Sequence, residues 1–141
     1  MNVLNFLDSN VWLALVWNRH AHSERARKWF EASAEEQFFF CRFTQLTTLR
    51  LLTTATVMGT DVCTMSRAWD LWDVIESDPR IAFLPEPTSL DSEFRSQSRS
   101  TAPSPKVWAD AYLIAFAAVA GLKLVTFDRA LQSLKAEVLI L

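Results

Sequence analysis

Three aspartates spread over most of a 141-residue chain, Asp8, Asp110 and Asp128, are the side chains best suited to chemistry. Asp8 follows the apolar run Val3-Leu4-Asn5-Phe6-Leu7, Asp110 sits early in the segment from Ser104 to Ala120, and Asp128 follows Leu122-Lys123-Leu124-Val125-Thr126-Phe127. A carboxylate beside apolar structure must be paired, capped or bound to a cation, because an unpartnered charge is costly to take out of water. No His or Cys accompanies the three acids, and an all-oxygen ligand set selects hard ions, Mg²⁺ or Mn²⁺. Such a site suits phosphodiester hydrolysis, in which the ion activates water and offsets charge on the phosphate. For Asp8 taken alone, a plain helix N-cap is an equally good reading.

The elements that must position these acids alternate along the chain. Short apolar runs predict strands at Val3–Leu7, Gln37–Cys41, Ile81–Leu84, Leu122–Phe127 and Glu137–Leu141. Between them, helices are expected over Val11–Trp17, over Ser23–Ala34 with Ser23 as cap, and over Gln45–Thr54 with Thr44 as cap. Further helices are expected over Ser66–Ser77, Leu90–Arg99 and Ser104–Ala120, the last stopping at Gly121, with a short helical turn over Arg129–Leu134. Leu46, Leu49 and Leu52, and likewise Trp69, Trp72, Val74 and Ile75, are the expected inward positions of their helices, and Trp29, Phe30 and the alanines those of the second helix. Thr56–Thr64 reads as a loop, and Gln97–Pro105, rich in Ser and Pro, as the least ordered stretch. The alternation implies a single domain over residues 1–141, an α/β/α sandwich with a short, mainly parallel sheet.

Composition narrows the function classes. Half the residues are apolar, ample for a core, and a net charge of −2 argues against a sequence-independent nucleic-acid coat, which is usually basic. Cys41 and Cys63 form no metal or disulfide pattern and read as reduced thiols. His20 and His22 form an HxH, but no further His exists to complete an imidazole site, so a solvated loop is the better reading. Arg95, Arg99 and Lys106 form the one locally basic stretch near a candidate site, read as a solvated loop ahead of a substrate clamp. Arg50, mid-helix, either pairs with a nearby acid or is exposed, and exposure is the slightly better reading. No signal peptide or membrane span is apparent, so a cytoplasmic protein without membrane association is expected.

In a parallel sheet the carboxyl ends of the strands share one edge, where ligands bind. Asp8, Asp110 and Asp128 are thereby expected to converge, with Gln45 just past the second strand. The stretches Leu7-Asp8-Ser9-Asn10-Val11-Trp12-Leu13-Ala14-Leu15, Trp108-Ala109-Asp110-Ala111-Tyr112-Leu113-Ile114-Ala115 and Leu124-Val125-Thr126-Phe127-Asp128-Arg129 together resemble the PIN domain, and within it the VapC-type toxin ribonucleases of bacterial toxin–antitoxin pairs. The resemblance covers essentially the whole chain. It implies a Mg²⁺- or Mn²⁺-dependent endoribonuclease, an RNA substrate, a cognate antitoxin protein and a homodimer. Carried over by position, Asp8 and Asp110 are the implied metal ligands, Asp128 a further acid that holds a second metal or orients water, and Asn10 and Thr126 polar support.

One position departs from the family pattern. Where the family usually places a Glu after the second strand, this chain has Thr44-Gln45-Leu46, and no acid occurs between Glu36 and Asp61. Gln45 could offer a neutral oxygen, and the lost charge implies weaker metal binding. The departure motivates a second reading, a catalytically impaired PIN-like module that binds a partner or RNA without cutting. A haloacid-dehalogenase-like phosphatase also starts from an Asp after its first strand, but it requires a second Asp two residues on, where this chain has Asn10.

Overall fold

A computed structural model describes residues 2–133 and 135–141. Five strands, β1 (Leu4–Leu7), β2 (Gln37–Phe40), β3 (Ile81–Phe83), β4 (Lys123–Thr126) and β5 (Glu137–Ile140), form one sheet in the order β3-β2-β1-β4-β5. Every pairing is parallel, in register Phe6 with Phe39, Phe6 with Leu124, Phe39 with Ala82 and Leu124 with Val138. After β1 the chain builds outward to one side through β2 and β3, then returns to lay β4 and β5 on the other side. The sheet therefore reverses direction between β1 and β4.

Alternation along β1 and β4 divides the core into two faces. Leu7, Phe38, Phe40 and Val125 point to the side covered by α1 (Ser9–Val16), α2 (Ser23–Ala32) and α5 (Met65–Glu76), where Trp12 and Trp72 are fully buried with ring centroids 5.5 Å apart. Phe6 and Leu124 point to the side covered by α6 (Leu90–Ser98) and α7 (Val107–Ala120), where Phe6 stacks on Phe116 at 4.5 Å. A third cluster, Leu13, Leu52, Met58 and Ala68, joins α1 to α3 (Arg42–Leu52), α4 (Ala55–Met58) and α5. The result is the expected α/β/α sandwich with a parallel sheet. No helix among the described residues is long and apolar enough to cross a membrane.

Several local expectations are corrected. Helix α7 begins at Val107, not Ser104: Pro105 has no N–H to donate, and the chain makes one turn, closed by the Val107 N–H on the Ser104 carbonyl, before the helix runs. It is also only half covered, with Ala111, Leu113, Ala115, Phe116 and Ala117 buried. Its end is as read, with Gly121 at φ 68°, a left-handed cap that glycine adopts without strain. Ser23 is the first residue of α2, with His22 at the cap, and Ala32 and Ala34 face solvent. Helix α3 starts earlier than expected, with Cys41 at the cap. Thr44, three residues in, closes a capping box by accepting the Cys41 N–H at 3.1 Å.

Leu46 is 61% exposed, because the stripe of α3 that meets α1 is Thr44, Gln45, Thr48 and Leu52, and two steps of three residues back from Leu52 carry Leu46 off that face. The buried Thr48 hydroxyl is satisfied by the Thr44 carbonyl at 2.7 Å, so a polar side chain can take an inward position. In α5 the inward stripe is Ala68 and Trp72, while Val74 is 73% exposed and Trp69 46% exposed. Thr56–Thr64 is not a plain loop but contains α4 and a 3₁₀ turn, Gly59–Asp61. The turn expected over Arg129–Leu134 is a 3₁₀ turn, Arg129–Leu131, and Leu134 lies outside the described residues.

Candidate functional site

Asp8 ends β1 and opens α1. Its N–H continues the ladder to the Val125 carbonyl at 2.9 Å, which ties it to β4, and its carbonyl accepts from Val11 and Trp12 at the start of α1. Its side chain is a cap in part, with Oδ1 accepting the Ser9 N–H at 2.7 Å. The other oxygen does something a cap does not explain: Oδ2 accepts the Thr126 hydroxyl at 2.8 Å, across the sheet from a residue 118 positions later. One oxygen of this carboxylate thus serves the cap of α1 while the other is held across the sheet.

Thr126 is the joint. Its hydroxyl is fully buried at the end of β4, donates to Asp8 and accepts the Asp128 N–H at 3.0 Å. Asp128 in turn caps the 3₁₀ turn, Oδ1 accepting from the Ala130 N–H at 2.9 Å, and its side chain stands exposed. Asp110 comes from the first turn of α7, where the helix dipole favours a negative charge. It is half-buried, and its carboxylate accepts no hydrogen bond among the described residues.

The electrostatics place the three acids within reach of one another. Burial raises the Asp8 carboxyl above its ordinary pKa, the bonds from Thr126 and Ser9 act against that rise, and the charge of Asp128 adds to it. Asp110 is raised by burial and then by the charges of Asp128 and Asp8. None of the three forms an ion pair with Lys, Arg or His among the described residues. They lie at the carboxyl ends of β1 and β4, where the sheet reverses direction and where parallel sheets bind ligands.

An all-carboxylate set, with Asp8 and Asp110 raised by burial and then by neighbouring acids and none of the three in an ion pair among the described residues, has the donor chemistry of a hard divalent cation site. The side chains are not drawn into a closed cage, since no group of three or more His, Cys, Asp or Glu among the described residues is positioned to hold a metal ion. Like charges hold such groups apart, and Asp8 and Asp128 each commit one oxygen to a backbone N–H.

The supporting residues separate. Thr126 is at the centre of the site. Asn10 lies in the first turn of α1 with its Oδ1 buried and without a hydrogen-bond partner among the described residues. Gln45 is buried on the face of α3 that meets α1, and its Oε1 accepts from the Arg42 guanidinium. It does not line the cavity into which Asp8 and Asp110 open.

That cavity, about 540 Å³, runs between α3, α5 and the start of α7. From α3 it is lined by Phe43, Leu46, Thr47 and Arg50, at helical spacing, and from α5 by Met65 and Trp69. Arg50 is exposed, as read, and pairs with no acid among the described residues. Leu46 and Trp69, expected in the core, belong to this wall, and the sequence signal for it is the second stripe on α3, running Phe43, Thr47, Arg50. The other candidates stand apart. Arg95 is committed to Asp91 at 2.8 Å, Cys41 is buried and Cys63 half-buried, both free thiols. His20 and His22 lie in a loop as expected, with the His22 ring stacked on Phe127 at 4.7 Å.

A profile of the PIN domain family matches residues 6–137. Over 128 residues the chain is 41% identical to Ribonuclease VapC41 of Mycobacterium tuberculosis, covering 87% of this chain and 88% of that protein. Among solved structures, the Mycobacterium tuberculosis toxin VapC20, described as cleaving the sarcin-ricin loop, matches with a TM-score of 0.63 at 19% identity, over 90% of this chain and 92% of that one. DNA-bound VapBC from Salmonella typhimurium matches with a TM-score of 0.67 at 14% identity, over 98% of each chain. FitAcB from Neisseria gonorrhoeae matches with a TM-score of 0.61 at 22% identity, over 96% of each chain.

Proposed function

The chain belongs to the PIN domain family and, within it, to the VapC ribonucleases, and from that premise we propose that it is the toxin of a toxin–antitoxin pair, an endoribonuclease that hydrolyses RNA phosphodiester bonds at the edge formed by Asp8, Asp110 and Asp128. The observation that supports this reading best is the gathering of three carboxylates from separate parts of the chain, two of them with pKa raised by burial and then by neighbouring acids, and none in an ion pair among the described residues. Its partners are an RNA substrate and a cognate antitoxin protein, in a homodimer of the cytoplasm, as one domain over residues 1–141.

Asp8 and Asp110 would hold the ion, Mg²⁺ or Mn²⁺, with Asp128 beside them. When bound, it supplies a hard Lewis acid that lowers the pKa of water and offsets charge on the phosphate. The chain's own part is positional. Thr126 fixes Asp8 by one oxygen while the Ser9 N–H holds the other, so the carboxylate is set before substrate arrives. Asp128, exposed and tethered through Ala130, orients the attacking water and takes its proton as the bond from phosphorus to the leaving oxygen breaks. Asn10 keeps a buried carbonyl oxygen unengaged at the same helix start.

The second reading, a module that binds RNA or a partner without cutting, is favoured by Gln45, whose oxygen is engaged by Arg42 in place of the family's usual acid. The two are separated by incubating a mixed cellular RNA pool with the antitoxin-free protein in Mg²⁺ or Mn²⁺ against a chelator, beside an Asp8→Asn, Asp110→Asn double variant. Metal-dependent cuts absent from the variant are expected. Equal inertness of folded wild type and variant would leave the binding module as the function.

A further inference from the structure

The cavity beside the acids carries a cation that nothing in the chain uses. Arg50 stands on α3 seven residues beyond Phe43, roughly 10 Å along the helix, and lines the same cavity as Asp8 and Asp110. It nonetheless pairs with neither, and it is not among the groups that perturb them. A guanidinium left free in a cavity that also contains two carboxylates is available to an anion brought in from outside. Opposite it, α5 presents Trp69, 46% exposed, and Met65, 74% exposed, and α3 itself presents Leu46. A tryptophan that its helix could bury, as it buries Trp72, is instead set on the cavity wall.

We propose that this groove seats a single strand of RNA running off the scissile phosphate, with Arg50 on the phosphate of a flanking nucleotide and Trp69 stacked on its base. The proposal rests on the ribonuclease reading and extends it to named substrate contacts. A nucleotide carries an anion and a planar ring side by side, and these are the two chemistries that Arg50 and Trp69 offer on the wall of one cavity. A protein segment would match the apolar wall but would need an acidic residue placed at Arg50. The guanidinium makes the contact sequence-independent, and Trp69 tolerates any base, so both residues set affinity and not the site of cutting.

The test measures cleavage and binding of one probe, a fluorescein-labelled mixed-sequence RNA decamer, by wild type and by Arg50→Ala, Arg50→Lys, Trp69→Ala and Trp69→Phe. In Mg²⁺, Arg50→Ala and Trp69→Ala are expected to raise KM about tenfold with kcat held within about threefold, and the Lys and Phe variants to recover most of the loss. Binding in chelator, read by anisotropy, should weaken by a similar factor, and the salt dependence of log Kd should flatten by about 0.7 for Arg50→Ala alone. Unchanged KM and binding in an active enzyme would overturn the proposal. Unchanged RNA binding together with lost capture of the co-expressed antitoxin would overturn it too and assign the groove to the protein partner. An inert wild type would remove the catalytic reading, while lost anisotropy in Arg50→Ala would still sustain the groove.

Discussion

Thr126→Val removes one hydroxyl from the floor of the site and keeps the side chain's volume. The hydroxyl is fully buried, donates to Asp8 Oδ2 at 2.8 Å and accepts the Asp128 N–H at 3.0 Å. A hydrogen bond to an ionised group contributes about 1.5–3 kcal/mol. The freed Asp128 N–H belongs to an exposed residue and can turn to water, so the lost bond to Asp8 dominates. We expect a cost of about 2 kcal/mol at pH 8, or about 8 °C in Tm for a chain of this size. The pH dependence has a definite sign. Burial holds the Asp8 carboxyl above its ordinary 3.8, and the Thr126 bond is the largest influence pulling it back. Without that bond Asp8 rises further, and a raised acid contributes stability that is full below its unfolded pKa and lost as pH climbs through the folded one. The gap between wild type and variant should therefore widen from pH 5 to pH 8 in urea denaturation, and the acid limb of the cleavage profile should move to higher pH. Thr126→Ser should restore both. The decisive comparison is a double-mutant cycle with Asp8→Asn. Coupling of about 1 kcal/mol or more is expected, and coupling below about 0.3 kcal/mol would refute the claim that the hydroxyl holds the carboxylate.

Asp8→Asn and Asp110→Asn should each abolish cleavage yet stabilise the metal-free protein at pH 8, by about 1 kcal/mol for Asp8, with the gain shrinking as pH falls toward 3.8; both carboxyls are raised in the folded state, and thermal melts in chelator read the effect. Added Mg²⁺ should raise the Tm of wild type and leave the double variant where it is. Gln45→Glu should pair with Arg42 and keep the Mn²⁺ affinity, read by calorimetry, within about threefold of wild type, because the side chain is turned to that guanidinium and away from the cavity. Gly121→Ala should cost about 1 kcal/mol in chemical denaturation with activity unchanged, the penalty being the φ of 68° alone, since nothing lies within 4 Å of an added Cβ.

What could be read from the sequence depended on which force set each feature. The strands and their parallel arrangement were legible because Phe6, Phe38, Leu124 and Val125 sit in runs that only a sheet covered on both faces can bury. The three aspartates were legible because each interrupts or ends such a run. The Thr126–Asp8 bond was legible only as polar support, since sequence carries no register between strands; pairing of Leu7 with Val125 is what aligns them. The inward faces of α3 and α5 differ from expectation because Leu46 and Trp69, though apolar, stand outside the core, whereas Thr44, Gln45 and Thr48 fill the contact with α1. Apolar residues on the outside and satisfied hydroxyls on the inside both run against a hydrophobicity count, and both occur beside the groove.

The order β3-β2-β1-β4-β5 sets a timetable for synthesis. The strand made first lies at the centre of the sheet, and one of its two neighbours is made near the end. Asp8 meets Thr126 only after 118 further residues, which at about 5–20 residues per second takes roughly 6 to 24 seconds of translation. Until β4 docks, Phe6 and Leu7 have no partner on that side, and a fully parallel sheet closes slowly because its contacts are distant in sequence. The contact between Asp8 and Thr126 and the closing of the sheet therefore come into being in the same event, so a ribosome-bound fragment that ends before β4 has an exposed central strand and an unassembled carboxylate edge.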